Sequence, residues 1–272
     1  MLTIKQLYIH PVKSLAGFSV DSFSLDSTGP EYDRRWMIVD TNGKFVTQRQ
    51  RPKMCLIKTR IDDDVLTLSA DNRISYKVPS ATNDLRSVQV WHDQVSAQDC
   101  GDGVAEWLTQ ILKKSVRLVY MPEQTKRLVD QDYANNSETV SFADGFPLLI
   151  VSQASLDLLN TKLDHAIDMQ RFRPNIVVDG CEPHAEDNWR KLTIAGHTLQ
   201  LVKPCSRCII PSIDPLSGQK QSQVIDVMNG YRRRKGKIYF GQNALLEKQE
   251  IEKQAEPITG VFRVGDSVNV VS

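Results

Sequence analysis

The sequence predicts an α+β fold that is mostly β, built from two closely packed β-rich units with helices mainly in the second. Two observations support this prediction. The first hundred residues hold many short apolar or β-branched runs separated by turn signals, which is typical of a barrel or a sandwich. Amphipathic helical patterns appear only after that region, and β-like runs return from Arg173 onward.

The strands of the first unit are predicted from period-two alternation and β-branched enrichment. Asn42-Gly43 is a strong hairpin signal, and the three aspartates at 62–64 mark another reversal of the chain. The predicted strands run from Thr3 to Ile9, Phe18 to Leu25, Trp36 to Asp40, Lys44 to Thr47, Leu56 to Ile61, Val65 to Ser69, Ile74 to Val78 and Val88 to Val90.

Two amphipathic helices follow. Asp102 is a candidate N-cap for the first helix, and the second helix follows the apolar run from Phe146 to Val151. The apolar residues that share one face are Val104, Trp107, Leu108 and Ile111 in the first helix and Leu156, Leu159 and Leu163 in the second.

Strands return in the last third of the chain. We place the boundary between the two units so that residues 1–95 form the first and residues 96–272 the second. The strands predicted beyond that boundary are Val116 to Tyr120, Ile176 to Val178, Leu192 to Ile194, Thr198 to Val202 and Val268 to Val271.

The composition excludes several classes of protein. With 34 Lys+Arg against 33 Asp+Glu, the chain lacks the basic excess of a general nucleic-acid binder. It has no run of about 18 apolar residues that could span a bilayer and no apolar signal core at its N-terminus. Five cysteines without framework spacing indicate a reducing compartment, so we expect a cytoplasmic protein. Motifs of nucleotide-binding loops, zincins and α/β-hydrolases are absent.

The most informative segment is Pro204-Cys205-Ser206-Arg207-Cys208, which places two thiols and a guanidinium after a β-like run. A Cys-x-x-Cys pair usually indicates a soft metal or redox chemistry. A structural zinc needs four protein ligands, and no second pair exists. The flanking sequence predicts strand and turn rather than the helix of a thioredoxin-like site. One thiolate that completes the coordination of a metal held mainly by an organic cofactor fits better, and zinc held with distant Cys or His residues is the alternative.

Cationic and amide side chains stand at several predicted strand ends. Lys13 and Ser14 follow the first strand and suit a phosphate, the alternative being a solvated loop lysine. Arg34 precedes the third strand, where at most one of two adjacent arginines can point into a site. Pro174 favours an extended Arg173, which would place Arg173 and Asn175 on one face. The densest positive run, from Tyr231 to Lys237, is either a solvated loop or a docking site for an acidic partner.

Taken together, these segments resemble the MOSC-domain family, whose members pair a MOSC β-barrel with an N-terminal β-barrel domain and include bacterial and mitochondrial amidoxime-reducing proteins. The resemblance covers nearly the whole chain. The segments that carry it are Tyr8 to Ser14, Asp33-Arg34, Gln48-Arg49-Gln50, Arg171 to Asn175, Ala185-Glu186-Asp187, Pro204 to Cys208, Phe240 to Asn243 and Val264-Gly265-Asp266.

The resemblance implies a molybdenum cofactor (molybdenum-molybdopterin), in which a pyranopterin dithiolene and one cysteine hold the metal. By motif, Cys208 is the expected metal ligand and Cys205 a structural neighbour. The positions expected to hold the phosphate and the pterin are Lys13, Ser14, Arg34, Arg173, Asn175, Ser206 and Arg207.

The function implied by the resemblance is reduction of N-hydroxylated compounds, such as amidoximes and hydroxylamines, by oxygen-atom removal at the molybdenum. Cys208 and Arg207 are the expected catalytic residues, and Asp214 is either a proton carrier or a purely structural turn residue. Without an iron–sulfur domain in the sequence, we expect electrons from a separate flavin- or iron–sulfur-containing protein. The alternative is a carrier that binds molybdenum cofactor or sulfur without turnover.

Overall fold

The computed structural model describes residues 1–134, 138–247 and 260–271. The strands in chain order are β1 (Leu2–Ile9), β2 (Phe18–Val20), β3 (Ser22–Asp26), β4 (Gly29–Pro30), β5 (Trp36–Asp40), β6 (Lys58–Asp62), β7 (Val65–Ser69), β8 (Tyr76–Lys77), β9 (Leu85–Val90), β10 (Asp93–Asp99), β11 (Val116–Tyr120), β12 (Leu148–Ser152), β13 (Ile176–Asp179), β14 (Lys191–Ile194), β15 (His197–Arg207), β16 (Arg233–Arg234), β17 (Lys237–Leu246), β18 (Val261–Arg263) and β19 (Ser267–Val271). The α-helices are α1 (Asp102–Leu112), α2 (Gln153–Asn160) and α3 (Gln223–Arg232), and 3-10 turns cover Pro52–Leu56, Met169–Phe172, Ala185–Asn188 and Ile210–Ser212.

Seven strands close into a barrel. Around the ring they follow the order β12, β13, β1, β19, β14, β15 and β17, and the pairing of β17 with β12 completes the circle. All pairings are antiparallel except that of β12 with β13. Alternate side chains of these strands fill the interior, with Leu7, Ile150, Ile176, Leu192 and Leu199 fully buried. The mostly β, barrel-containing fold is confirmed.

A half-barrel packs beside the closed barrel. Its sheets are β5-β11-β10-β9 and β6-β7-β8, and α1 lies against their core. The side chains of Met54, Leu68, Leu108 and Leu118 fill this second core and are fully buried. The predicted boundary between residues 95 and 96 falls within β10, and β1 belongs to the closed barrel. The position of the boundary stays a prediction.

Several predicted elements need correction. The strand predicted from Phe18 to Leu25 is two strands, β2 and β3. Lys44 to Thr47 forms isolated bridges rather than a strand. Leu56 is the last residue of the 3-10 turn Pro52–Leu56, which begins with a proline. The strand predicted from Leu56 therefore begins only at Lys58. The N-cap of α1 is Gly101 instead of Asp102, which pairs with Arg117 at 2.8 Å.

Helix α3 and the long strand β17 were not predicted. Half of the residues of α3, Gln-Val-Ile-Asp-Val-Met-Asn-Gly-Tyr-Arg, are polar or glycine, so its apolar stripe is weak. Only Val224, Met228 and Arg232 of this helix are buried. Strand β17 contains Gly241 and Asn243, residues that usually weaken a strand pattern. Both elements therefore depend on tertiary packing more than on local propensity.

Gly241 is required for closure of the barrel. Its φ is +79°, and a Cβ built on it would lie 2.7 Å from the carbonyl oxygen of Ile150, on the neighbouring strand β12. Gly236 has the same φ of +79° but open space around the equivalent position. The two glycines thus share the backbone conformation and differ in steric surroundings.

We predict that Gly241→Ala destabilises the fold more than Gly236→Ala. Gly236→Ala should cost about 1 kcal/mol of unfolding free energy from its left-handed backbone alone. Gly241→Ala should cost about 1–3 kcal/mol more, because the methyl group meets backbone that cannot move without opening the barrel. Urea unfolding followed by circular dichroism measures both values. Equal losses in the two variants would contradict this account of closure.

Candidate functional site

A pocket lies at one end of the barrel, where loops from both units meet. Among the residues that line it are all the predicted cofactor-binding and metal-binding positions, namely Lys13, Ser14, Arg34, Arg173, Asn175, Ser206, Arg207 and Cys208. They come from the turn after β1, the turn before β5, the segment before β13 and the end of β15. The structure therefore brings together residues that are separated by up to 195 positions in the chain.

Three of these residues have a left-handed backbone. The φ angles of Ser14, Arg34 and Arg173 are +70°, +52° and +54°. Non-glycine residues adopt this conformation at a cost, and such residues cluster at functional sites. Hydrogen bonds from the Arg34 amide to the His10 carbonyl at 2.9 Å and from the Arg173 amide to the Gln170 carbonyl at 3.1 Å hold two of them in place.

The extended conformation predicted for Arg173 is wrong. Proline disfavours the right-handed helical region for the residue before it, but the left-handed region remains open. Arg173 occupies that region because it ends the 3-10 turn Met169–Phe172. Its guanidinium consequently turns toward the first unit, where Nη1 donates to the carbonyl of Leu15 at 2.6 Å.

The thiol segment lies at the end of β15 rather than after it, with Pro204 to Arg207 inside the strand. The pairing of β15 with β17 shifts register between Leu201 and Lys203 and again between Pro204 and Ser206. Bulges of this kind re-aim side chains and accommodate a proline within a sheet. Cys205 is partly buried against the core beside the barrel, whereas Cys208, just past the strand end, is exposed.

Arg207 is fixed by three contacts. Its Nη1 donates to the sulfur of Cys205 at 3.0 Å, and its Nη2 donates to the carbonyl of Phe172 at 2.6 Å. The guanidinium also lies over the Phe172 ring, 5.4 Å from its centroid. Phe172 in turn stacks on Phe240 at 4.1 Å between ring centroids. Arg207 is therefore held rigidly beside Cys208, and Cys205 serves as one of its anchors.

Lys13 is buried and interacts with Asp144. Its Nζ donates to a carboxylate oxygen of Asp144 at 2.5 Å and to the carbonyl of Phe142 at 2.7 Å. Burial lowers the pKa of Lys13 to about 8, although Asp144 opposes the shift. Arg49 approaches the other oxygen of Asp144 at 3.7 Å and lies over the Trp91 ring. The Nε of Arg49 is buried without a hydrogen-bond partner among the described residues.

Arg34 and Arg173 form a second cationic group. Arg34 pairs with the buried carboxylate of Asp33 and donates to the Arg173 carbonyl at 2.9 Å. Asp33 also accepts the His10 amide at 2.8 Å, so it ties the turn before β5 to the end of β1. Burial and the positive charge of Arg34 together lower the pKa of Arg173 to about 9. The two guanidiniums share a pocket that lacks enough negative charge to balance them.

Positive charge dominates the pocket. Five lining residues are cationic, namely Lys13, Arg34, Arg49, Arg173 and Arg207, and Asp144 is the acidic one. Asp33, beneath Arg34, adds one further carboxylate. Since unpaired buried charge is costly, this arrangement suits an anionic ligand such as a phosphate. The hydroxyls of Ser14 and Ser206 have no hydrogen bond to the described part of the chain and remain free to donate.

Asn175 lines the pocket but also holds the barrel together. Its Oδ1 accepts the Leu149 amide at 3.1 Å, and its Nδ2 donates to the Tyr8 carbonyl at 3.4 Å. The residue is 1% exposed. Its amide is thus largely used in joining β1, β12 and the start of β13, and its role toward a ligand stays a prediction.

Asp214 lies apart from the pocket. It lines a neighbouring cavity, and its carboxylate accepts the Leu216 amide at 2.8 Å within a turn. The hydrogen bond from that amide is the main reason why the pKa of Asp214 is lowered. Arg35, as expected for one of two adjacent arginines, points elsewhere and binds the Met121 carbonyl at 2.8 Å.

Three charged residues at the site were not predicted as site residues, namely Asp33, Arg49 and Asp144. Asp33 and Arg49 stand in two segments that carry the family resemblance, Asp33-Arg34 and Gln48-Arg49-Gln50. Asp144 follows a polar loop with no periodicity, so no pattern indicated a role for its side chain. Within the described ranges, no three His, Cys, Asp or Glu side chains are grouped so that they could hold a metal ion. A zinc site formed by Cys205, Cys208 and distant ligands therefore has no support from the described geometry.

The basic run 231–237 does not line the pocket. Arg232 is buried and, like Arg234, pairs with Asp187. Arg233, Lys235 and Lys237 are exposed on the hairpin between β16 and β17. In the part of the chain that the structure describes, no helix is long and apolar enough to cross a membrane.

Comparison with known proteins gives two family matches. The MOSC N-terminal beta barrel domain matches residues 1–115, and the MOSC domain matches residues 137–269. The chain is 34% identical to mouse mitochondrial amidoxime-reducing component 1 and 35% identical to the human protein, covering 98% and 94% of this chain and 81% and 82% of those proteins. It is 31% identical to rice molybdenum cofactor sulfurase over 97% of this chain and 35% of that protein.

We predict that anion binding by the pocket weakens as pH rises above 7. Lys13, with its pKa lowered to about 8, loses its proton between pH 7 and pH 10. Sulfate keeps its charge over that range, so its affinity should fall about tenfold or more, because at pH 10 only about one molecule in a hundred still carries the charged Lys13. Isothermal titration calorimetry with sulfate measures the profile.

The matched control is Lys13→Arg, whose guanidinium keeps its charge over this pH range. Its sulfate affinity should fall less steeply than that of the unaltered protein. A sulfate affinity that is constant or increases between pH 7 and pH 10 would show that Lys13 does not hold the anion.

Proposed function

Because the chain belongs to the MOSC-domain family, with an N-terminal MOSC β-barrel domain and relatives among the mitochondrial amidoxime-reducing components, we propose that it is a molybdenum-cofactor-dependent oxidoreductase. Its substrates would be small N-hydroxylated compounds such as amidoximes and hydroxylamines. The observation that supports this function most directly is an exposed Cys208 at the edge of a pocket with five cations and few carboxylates.

The residues present fit such a cofactor. A pterin cofactor carries a phosphate, which needs several fixed donors, and a metal that accepts one thiolate from the protein. Lys13, Arg34 and Arg173 supply the charge, and Arg49 supplies a buried Nε that has no partner among the described residues. Cys208 is the exposed thiol of the pair. When bound, the cofactor supplies the two-electron redox chemistry of molybdenum.

We assign the chain's residues as follows. Cys208 ligates the metal, and Lys13, Ser14, Arg34, Arg173, Asn175, Ser206 and Arg207 hold the phosphate and the pterin. Arg207 is catalytic because its guanidinium, fixed by Cys205 and Phe172, keeps a positive charge beside the reacting centre.

The reaction balances with two electrons and two protons. The N–O bond of the substrate breaks, an amidoxime becomes an amidine, and the oxygen leaves as water. Asp214 is the proposed proton carrier. Asp214 lines the cavity beside the pocket, so protons from solvent would pass to the substrate from that side.

The electrons come from a separate flavin- or iron–sulfur-containing protein, and the basic hairpin offers a place for it to dock. Arg207 pairs with Ile238 on β17, and Ile238 pairs with Arg233 on β16. Neighbouring strands lie about 4.8 Å apart, so Arg233 stands about 10 Å from Arg207. A protein with an acidic surface that binds this hairpin would cover the rim of the pocket. A cytoplasmic location, independent of membranes and nucleic acid, stays a prediction.

A carrier function is the second candidate. The similarity to a molybdenum cofactor sulfurase extends over nearly the whole chain, and a carrier of molybdenum cofactor or of sulfur on Cys208 needs the same phosphate-binding groups. Turnover separates the two candidates. A reductase cycles with an artificial electron donor, whereas a carrier binds the cofactor and has no activity of its own.

We predict that Cys208→Ala abolishes turnover while the protein stays folded. Expressed in a host that makes molybdenum cofactor, the unaltered protein should carry near-stoichiometric molybdenum and pterin and reduce hydroxylamine with reduced methyl viologen. The variant should lose or loosen the metal, because a thiolate ligand is missing, and its activity should fall to background. Elemental analysis, pterin analysis and the viologen assay measure these quantities.

The matched control is Cys205→Ala, which removes an anchor of Arg207 and should cause a smaller loss of activity. An active Cys208→Ala variant would exclude the assignment of the metal ligand. Equal losses in both variants would instead favour a site that uses two thiols. Cofactor bound by the unaltered protein without any turnover would favour the carrier.

We predict that the basic hairpin accelerates reduction by an acidic donor. With reduced flavodoxin as the probe, the double variant Lys235→Gln and Lys237→Gln should react about tenfold more slowly at low ionic strength, and the difference should shrink at 0.5 M salt. Reduction by methyl viologen, a small cation, should not slow. The control replaces the exposed Lys77 and Lys126 in the same way. Equal slowing by both pairs would contradict docking on the hairpin.

A further inference from the structure

Asp144 is the acidic residue that lines the cationic pocket, and three groups from other loops converge on it. Its Oδ1 accepts hydrogen bonds from the Nζ of Lys13 at 2.5 Å and from the Nε1 of Trp91 at 3.3 Å. Its Oδ2 faces the guanidinium of Arg49 at 3.7 Å. One carboxylate therefore bridges two of the cations of the pocket, with one oxygen turned toward each.

Lys13 and Arg49 are also held by contacts other than those with Asp144. The Nζ of Lys13 donates to the carbonyl of Phe142 at 2.7 Å and lies 5.8 Å from the ring centroid of Trp91. The guanidinium of Arg49 lies over the same ring, 4.5 Å from its centroid. Carbonyl and ring contacts position a cation without cancelling its charge. Among the described contacts of the two cations, Asp144 provides the negative charge.

Asp144 lies on the solvent side of both cations. Its side chain is 64% exposed, against 5% for Lys13 and 24% for Arg49. The next residue, Gly145, has open space around it, because a Cβ built there would meet nothing within 4 Å among the described residues. The carboxylate can therefore move into solvent without disturbing packed side chains, which the buried carboxylate of Asp33 cannot do.

A carboxylate and a phosphate compete for the same partners. A carboxylate carries one negative charge on two oxygens, whereas a phosphate monoester carries nearly two charges on three oxygens. An anion that reaches Lys13 and Arg49 must therefore displace the carboxylate of Asp144 or remain close to a like charge. Either event costs free energy, so the pocket binds any anion less tightly than it would with an uncharged residue at position 144.

This competition affects small anions most. Sulfate and inorganic phosphate can contact only the few groups that surround one anion. A phosphate that is part of a larger ligand has further contacts, with residues such as Ser206, Cys208 and Asn243 that line the same pocket. Those contacts offset the cost of displacing Asp144, so the same competition excludes the small anion and admits the larger ligand.

We propose that Asp144 is a specificity-determining residue, whose carboxylate competes with anions for Lys13 and Arg49 and keeps small free anions out of the pocket while a phosphate-bearing cofactor binds. The inference rests on the proposed function for the identity of that cofactor. The competition itself involves only residues of the chain, so sulfate can measure it without any cofactor.

The test removes the charge of Asp144 and measures sulfate binding by the full-length chain, expressed in a host that cannot make molybdenum cofactor. Asp144→Asn and Asp144→Ser are the neutral variants, and the exposed position tolerates both. Asp144→Glu keeps the charge. The matched control is Asp62→Asn, because Asp62 also pairs with an arginine, has a side chain that is 50% exposed and lies outside the pocket.

The titrations have to be carried out below neutral pH. Burial lowers the pKa of Lys13 to about 8, and Asp144 opposes that shift. The neutral variants therefore lose the proton of Lys13 at a lower pH than the unaltered protein does. Calorimetric titration with sulfate at about pH 6 keeps Lys13 protonated in every variant.

At that pH, Asp144→Asn and Asp144→Ser should bind sulfate about tenfold more tightly than the unaltered protein, because one repelling charge is removed from a partly exposed site. Asp144→Glu and Asp62→Asn should stay within about threefold of the unaltered protein, since an exposed ion pair contributes little. As the pH rises, the neutral variants should begin to lose sulfate affinity at a lower pH than the unaltered protein, because no carboxylate supports the protonated Lys13.

Several results of these titrations would overturn the inference. It fails if neither neutral variant binds sulfate more tightly, or if sulfate binds none of these proteins. It also fails if Asp144→Glu or Asp62→Asn gains as much affinity as the neutral variants, because the charge at position 144 would then not be the cause.

A second measurement uses the unaltered protein from a host that makes molybdenum cofactor, and it separates this inference from the proposed function. Molybdenum and pterin that stay bound during dialysis against excess sulfate support the discrimination, and their displacement by sulfate overturns it. If that protein carries no molybdenum and no pterin while the neutral variants bind sulfate more tightly, the competition at Asp144 stands and the proposed function fails.

Discussion

Mutual repulsion among the cations of the pocket is the constraint on which the arrangement of the site depends. Two like charges 4 Å apart repel by about 4 kcal/mol at an effective dielectric constant of 20, so cations gather only where other groups hold them. Backbone carbonyls hold three of these cations. The carbonyls of Phe142, Leu15 and Phe172 accept hydrogen bonds from Lys13, Arg173 and Arg207, respectively. Carbonyl oxygens satisfy hydrogen bonds without neutralising charge, so the pocket keeps its attraction for an anion.

The two carboxylates at the site, those of Asp33 and Asp144, differ from each other in burial and in role. Asp33 is buried under Arg34 and also accepts the His10 amide, so it is part of the fold. Asp144 has a side chain that is 64% exposed and interacts with Lys13 and Arg49 from the solvent side. An arriving phosphate would compete with Asp144 for the same two cations, whereas it cannot displace Asp33. Asp144 therefore stabilises the two cations before an anion binds, and the anion can displace it from them.

The sequence was informative where the fold repeats a simple period and where chemistry is concentrated in short segments. The alternation in β1 and β14, the pair Cys205 and Cys208 at the end of β15, and the lysines and arginines at strand ends could be read directly. The barrel was expected from the family resemblance, but the residue patterns alone do not predict its closure, because closure depends on Gly241 meeting Ile150 across strands that are distant in sequence. The left-handed backbone of Arg173 could not be predicted either, because a residue before proline is expected to be extended. Arg173 is left-handed because it ends the 3-10 turn that precedes it.

Arg173 lines both the cationic pocket and the neighbouring cavity, so the two spaces share one guanidinium although their charges differ. Positive charge is in excess in the pocket, whereas the wall of the cavity has equal numbers of Lys or Arg residues and of Asp residues. An anion that reaches the cavity is therefore attracted on toward the pocket, whereas a neutral compound experiences no such attraction. The two spaces thus differ in the ligands that they attract, and the difference arises from the field of the whole site rather than from any single contact.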